Sequence, residues 1–231
     1  MSDLVTYERK GPAARIRMDD GKVNKMGPEM IAAIDAAFDR AAGEGAIPVL
    51  TGRPNLFSAG FDLKVFAGGD AEAGRRMVRA GAELSLKIMT FPLPVIAGVQ
   101  GHAFPAGAFQ VLSSDWRIGT EGDWTIGLNE VAIGLTIPQF ALEVARQRLT
   151  PAAFSRTALT GEMFPAREAL AAGFVDELVA PDGFEAAIDR AVERLSKLSM
   201  PAHAATKAKA RGPYIAAIRA AIDAELGGPA G

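Results

Sequence analysis

The sequence predicts an α/β core followed by a mainly helical region, and three observations lead there. Over the first ~140 residues, short apolar runs bounded by turn signals alternate with amphipathic segments. After Pro138 helical pieces punctuated by Pro and Gly take over. The 231-residue chain is 49% apolar and 23% charged, the composition of an ordinary globular protein with enough apolar surface for a sizeable core.

Taken in order, LVTYE and ARIRM read as a strand pair around the turn signal Lys10, Gly11 and Pro12. The loop DDGKVNKMGP follows. Pro28 can open a helix, and Met30, Ile31, Ile34 and Phe38 recur at helical spacing, so 28–42 is an amphipathic helix ended by Gly43 and Gly45. AIPVLTG is strand-like. The Gly-, Pro- and Asn-rich run 53–69 reads as one long loop, of a kind that is often functional in compact domains. A second helix is expected over 70–89, with FPLP closing it, because a residue before proline is pushed out of the helical region.

PVIAGV is a buried strand, and the turn GHAFPAG (101–107) carries it into a helix expected over 106–113. A Gly-rich turn at a helix N-terminus leaves backbone N–H groups unpaired, where the macrodipole also favours negative charge. DWRIG and DWTIG are two short strands around the turn TEG. FALEVARQRL, PAAFSRTALTG and PAREALAAG are helical, FVDELV is a last short strand, and helix resumes from Asp182. Breaks are expected at Pro201 and at Gly212 and Pro213, before a final helix YIAAIRAAIDAEL. The first ~140 residues thus alternate strand and helix while the last ~90 are mainly helical, a division that suggests a core domain and a helical appendix.

Composition and motifs exclude several functions. A net charge of −2 and scattered Lys and Arg residues give no electrostatic footprint for nucleic acid. The chain has no cysteine, which removes disulfides, thiolate metal sites and a cysteine nucleophile, and two distant histidines are too few for a catalytic zinc site. The dinucleotide, P-loop and nucleophile-elbow fingerprints are all missing. The opening segment lacks the features of a secretory signal, and no window approaches the ~20 apolar residues of a membrane span, so a cytoplasmic location without membrane contact is expected. What remains is acid–base or oxyanion chemistry on carboxylates and backbone amides.

Four blocks, FSAGFDLK (57–64), PVIAGVQGHAFPAG (94–107), SDWRIG (114–119) and NEVAIGLTIP (129–138), resemble in order and spacing the signature blocks of the crotonase superfamily, the enoyl-CoA hydratase/isomerase enzymes. The resemblance implies a crotonase-like spiral of β-β-α turns over 1–180 with a C-terminal helical region over 181–231, assembled as a homotrimer or homohexamer, and the Ala-rich tail is compatible with helix packing between subunits. It also implies an acyl-CoA thioester as substrate, with coenzyme A entering as part of that substrate and no separate cofactor. Two backbone N–H groups would polarise the thioester carbonyl, those of Phe61 and Ala106, and Ala59, Gly60 and Gly107 beside them would be substrate-binding residues, together with Phe109 and Lys22. Backbone amides suit this role because an enolate oxygen needs donors aimed at it in a dry site.

The departures from the family pattern carry as much information. Of the two glutamates of a typical hydratase of this family, one is present as Glu130 and the other position holds Phe109, which cannot carry a proton. PAG also stands where three glycines are usual. Addition of water wants one group to activate water and another to deliver a proton, so the resemblance is closer to the enoyl-CoA isomerases, in which one Glu takes a proton from one carbon and returns it two carbons away. Phe109 would then be an apolar wall of the acyl site that raises the pKa of Glu130. A non-catalytic acyl-CoA-binding protein, thioester hydrolysis and decarboxylation stand as alternatives. Asp62 and Asp115 read as turn-fixing residues and His102 as a packing residue. Lys22, Lys64 and Lys207 are candidates for CoA phosphates, with solvated surface as the plainer reading of each; Lys22 lies in a loop resembling the family's nucleotide-contacting segment.

Overall fold

A computed structural model describes residues 4–227; the expected outer limits of the two regions, residues 1 and 231, lie outside the described residues. Strands β1 (Val5–Lys10) and β2 (Ala13–Met18) form the expected antiparallel pair, and helix α1 (Pro28–Gly43) follows, with Pro28 in its first turn. A repeating unit then begins. β3 (Ile47–Thr51) is followed by β4 (Asn55–Ser58), a short α2 (Leu63–Ala67) and α3 (Ala71–Thr90). β5 (Ile96–Val99) leads through β6 (Gly101–Ala103) into α4 (Pro105–Ser113), and β7 (Trp116–Thr120) leads through β8 (Thr125–Gly127) into α5 (Gln139–Arg146). The chain ends with α6 (Pro151–Thr160), β9 (Met163–Pro165), α7 (Ala166–Ala172), β10 (Glu177–Val179), α8 (Phe184–Ser196) and α9 (Met200–Leu226).

The first strand of each unit joins one sheet and the second strand joins another. The larger sheet has the order β1-β2-β3-β5-β7-β10 and the smaller β4-β6-β8-β9. Within the units all pairings are parallel, Val49 opposite Ile96 and Ile96 opposite Trp116 in the larger sheet, Asn55 opposite Gly101 and Ala103 opposite Ile126 in the smaller. The two strands of a unit are thus sheet-switching neighbours rather than hairpins, which is the expected spiral of β-β-α turns. Gly101 is needed where β6 lies against β4, since a Cβ there would lie 1.8 Å from the Asn55 carbonyl carbon.

Apolar burial on both faces explains why PVIAGV reads as a continuous apolar run. Ile47, Val49, Ile96 and Ile118 face Phe184, Ile188 and Val192 of α8, while Leu50, Ala97 and Val99 face the main core under α1 and α4. Helix α9 packs on α3 and α5, and its Ile218, Ala221 and Ile222 join that main core.

Three expectations are corrected. The run 53–69 is not one loop: it contains β4, whose Phe57 and Ser58 are buried, and α2, whose N-terminus Asp62 caps by accepting from Lys64 N–H. The breaks at Pro201 and at Gly212 and Pro213 do not occur, because α9 is continuous. Pro201 falls in its first turn, where the missing N–H has no partner to lose. Pro213 forfeits an internal bond at a cost of about 3 kcal/mol, and tertiary anchoring on either side holds the helix: Arg211 donates to the carbonyls of Met89 and Ser113, both at 3.1 Å, and Ile218 is buried beyond. Lys207 is not solvated surface either. It is 7% exposed and forms an ion pair with Asp115, which also pairs with Arg211 at 3.1 Å and accepts from Val95 N–H at 2.8 Å.

Asp115 therefore ties β5 and the end of α4 to α9, and one carboxylate serves two buried cations. Removing it leaves both uncompensated, so Asp115→Ala is expected to lower the unfolding free energy by about 3–5 kcal/mol, measured by chemical denaturation. A loss below about 1 kcal/mol, the range of a surface pair, would show that the cluster does not hold α9.

Candidate active site

Parallel pairing places the C-terminal ends of β4, β6 and β8 side by side, and three loops leave the small sheet at this edge. They carry Ala59–Gly60–Phe61, Phe104–Pro105 and Asn129–Glu130, all on the wall of one cavity of about 710 Å³. Ligands of α/β proteins commonly bind at this end of parallel strands. The rest of the wall is largely apolar, from Leu63 and Phe66 of α2, Val78 of α3, Ile133 and Leu135 after Glu130, and Leu226 at the end of α9.

Close backbone approach holds the first two loops together. Phe104 N–H donates to the Ser58 carbonyl at 2.9 Å, and a Cβ on Gly107 would lie 2.7 Å from Ser58 Cβ, so only glycine lets α4 pack this tightly on β4. Gly60 has φ +89° and needs glycine for its backbone conformation alone. Its carbonyl accepts from Met26 N–H at 2.8 Å. Among the described residues neither the Phe61 nor the Ala106 N–H has an acceptor. For Ala106 this follows from its place in the first turn of α4, where the first internal bond of the helix is made only by Ala108 N–H, to the Phe104 carbonyl.

Glu130 faces this cavity from a single 3-10 turn that begins after it. Its backbone is fixed, since the carbonyl accepts from both Ile133 N–H at 3.0 Å and Leu135 N–H at 2.9 Å. The side chain is the opposite: the residue is 8% exposed, and Oε2 is buried with no hydrogen-bond partner among the described residues. Desolvation without a compensating cation pushes its carboxyl up to about 7. The other acid on the cavity wall, Asp70, is exposed, caps α3 by accepting from Glu72 and Ala73 N–H, and is held below its ordinary range chiefly by those bonds.

The remaining candidates scatter. Ala106 and Gly107 are buried in the first turn of α4, directly after Pro105 of the wall. Phe109 is 1% exposed and stands edge-on to Phe140 at 5.7 Å, packed in the core. Lys22 lines a separate hollow of about 490 Å³ with Lys25 and Asp62. Lys64 is exposed at the start of α2. His102 holds β6 to β8 by accepting from Thr125 N–H at 3.1 Å.

Sequence reasoning missed Asn24, a buried residue with φ +47° whose Nδ2 donates to the carbonyls of Met18 and Phe57 and so positions the strand before Phe61. It missed Lys25, whose ion pair with Asp62 fixes the same loop, and Leu226, which only tertiary folding brings to the cavity. An Asn in the turn DDGKVN was the one available signal, because Asn adopts positive φ more readily than most residues. Among the described residues no group of three or more His, Asp or Glu side chains could hold a metal ion, and no helix is long and apolar enough to cross a membrane.

A sequence profile described as Enoyl-CoA hydratase/isomerase matches residues 8–226. The chain belongs to the enoyl-CoA hydratase/isomerase family. Among solved structures, a member of this family from Pseudomonas syringae superposes with a TM-score of 0.95 at 40% identity, covering 97% of each chain. An enoyl-CoA isomerase of Mycobacterium tuberculosis superposes with a TM-score of 0.91 at 41% identity, covering 96% of this chain and 97% of the other. A probable enoyl-CoA hydratase of Mycobacterium avium is 35% identical over 79% of this chain and 69% of its own length. Relatives named for both activities are therefore similar to this enzyme.

Burial of Glu130 has a thermodynamic consequence. Its folded pKa lies above its unfolded value of 4.5, so the folded state binds the extra proton between that value and about 7, and stability falls as pH rises through this window. Above it the ionised carboxylate costs about 3 kcal/mol. Glu130→Gln, which mimics the protonated form, is expected to match wild type near pH 4.5 and to exceed it in stability by up to that amount near pH 8, measured as denaturation midpoints over a pH series. A gap independent of pH would contradict the burial of an unpaired charge.

Proposed function

We propose that this member of the enoyl-CoA hydratase/isomerase family moves a carbon–carbon double bond in an enoyl-CoA thioester from the 3- to the 2-position, with Glu130 as the sole proton carrier. The observation that carries this reading is a single buried, unpaired carboxylate, pushed up to about 7, facing a largely apolar cavity. The ionised Glu130 takes a proton from C2, and the electron pair moves onto the thioester oxygen to give a dienolate. The N–H groups of Phe61 and Ala106 donate to that oxygen. Protonated Glu130 then returns the proton to C4, the carbonyl re-forms, and the double bond rests between C2 and C3.

A carboxyl near neutrality suits both halves of this cycle, because it must accept and release the same proton. Hydration would want a second group to activate or protonate, and Phe109 stands at the position where hydratases resembling this chain carry one. A protein that only bound acyl-CoA would gain nothing from a buried carboxylate that costs stability. Coenzyme A takes part as half of the substrate, and the reading includes no further cofactor. It also includes the homotrimeric or homohexameric assembly and the cytoplasmic location expected from the sequence.

With a 3-enoyl-CoA substrate, kcat is expected to rise with pH through about 7 and then level, because Glu130 acts as a base only when ionised. Glu130→Gln should lower kcat by about 10²–10⁴-fold and remain folded. Equal turnover by variant and wild type, or water addition to 2-enoyl-CoA as the dominant reaction, would overturn the assignment.

A further inference from the structure

Gly81, near the middle of α3, lies against the ring of Phe61. A Cβ built on it would sit 2.8 Å from both Cε1 and Cζ of that ring and 4.0 Å from Ile31 Cδ1, so the ring rests directly on the helix backbone. On its carbonyl side, Gly81 accepts from Ser85 Oγ at 3.2 Å and from Gln110 Nε2 at 3.4 Å. Gln110 belongs to α4, donates also to Ser85 Oγ at 3.3 Å, and is buried, as is Ser85. One residue of α3 thus meets the side chain of Phe61 on one side and α4, whose first turn carries Ala106, on the other. A helix-interior glycine costs about 1 kcal/mol against alanine, and the contacts described give that cost a purpose.

We propose that Gly81 is a positioning residue for the pair of N–H donors, setting where Phe61 N–H points by letting its ring seat on α3. The inference rests on the enoyl-CoA reading above, in which those donors meet the thioester oxygen. A methyl group at position 81 would have to displace the ring. Phe61 also lines the cavity, and Gly60, just before it, is fixed by its bond from Met26 N–H, so the displacement is carried into the turn that holds the donor. Donor geometry matters at this scale, since a misplacement of about 1 Å can cost about 10²-fold in rate.

The test compares wild type, Gly81→Ala, Phe61→Leu and the double variant on a 3-enoyl-CoA. Gly81→Ala is expected to lower kcat by about 10- to 100-fold with a smaller change in KM. In the Phe61→Leu background, where the ring is gone, the same substitution should cost no more than about 3-fold, a coupling read from the double-mutant cycle. An unchanged kcat, or the same loss in both backgrounds, overturns the proposal. If Gly81→Ala does not fold, the double variant should fold because the clash is relieved, and an unfolded double variant overturns it too. A second readout needs no turnover: in protein labelled with ¹⁵N-phenylalanine, the Phe61 amide resonance, identified by its loss in Phe61→Leu, should shift in Gly81→Ala. An unmoved resonance overturns the positioning role even if the wild type proves inactive on enoyl-CoA, an outcome that would instead overturn the catalytic reading.

Discussion

Parallel hydrogen bonding between β4, β6 and β8 is the constraint on which the site depends. These strands are three or four residues long, yet their common direction makes three loops distant in sequence leave the small sheet at one edge. So few ladder bonds would not hold such strands alone. The larger sheet supplies the support: apolar on both faces and covered by α8 on one and by α1 and α4 on the other, it fixes the origin of each β-β-α unit. Gly101 then lets β6 lie close against β4, and Gly107 lets α4 pack on β4, so that the loops meet. Packing comes first, and the geometry of the cavity follows from it.

Two buried charge arrangements in the molecule show opposite uses of a low-dielectric interior. Asp115 with Lys207 and Arg211 is a compensated cluster, and its bonds to β5 and α9 join the helical end of the chain to the core. Glu130 is uncompensated, and the energy spent on burying it appears as a carboxyl poised near neutral pH. A nearby cation would remove this strain, since it would return Glu130 to the ordinary carboxylate range.

Much of this was legible in the sequence where the signal is local. The strand pair at the start, helices α1 and α3, the turn into α4 and the isolated Glu130 all announce themselves through periodicity, proline placement or motif. The failures share a cause, which is dependence on tertiary partners. β4 is too short to show alternation. The prolines of α9 signal breaks that Arg211 and Ile218 prevent, and Lys207 looks like surface because its partner Asp115 lies far off in sequence. Phe109 was recognisable as an apolar residue where a carboxylate is usual, but its edge-on contact with Phe140 of α5 was not. Leu226 and Gly81 gave no signal at all: their importance is a matter of what they touch.

The central claim is that one carboxylate carries one proton between two carbons inside a largely apolar cavity. The most direct measurement is the fate of deuterium when a 3-enoyl-CoA labelled at C2 is converted in ordinary water. Single-carrier transfer by Glu130 predicts product with deuterium at C4 as well as the label retained at C2. Isomerised product carrying no deuterium at C4, or conversion to a hydroxyacyl-CoA, would contradict it.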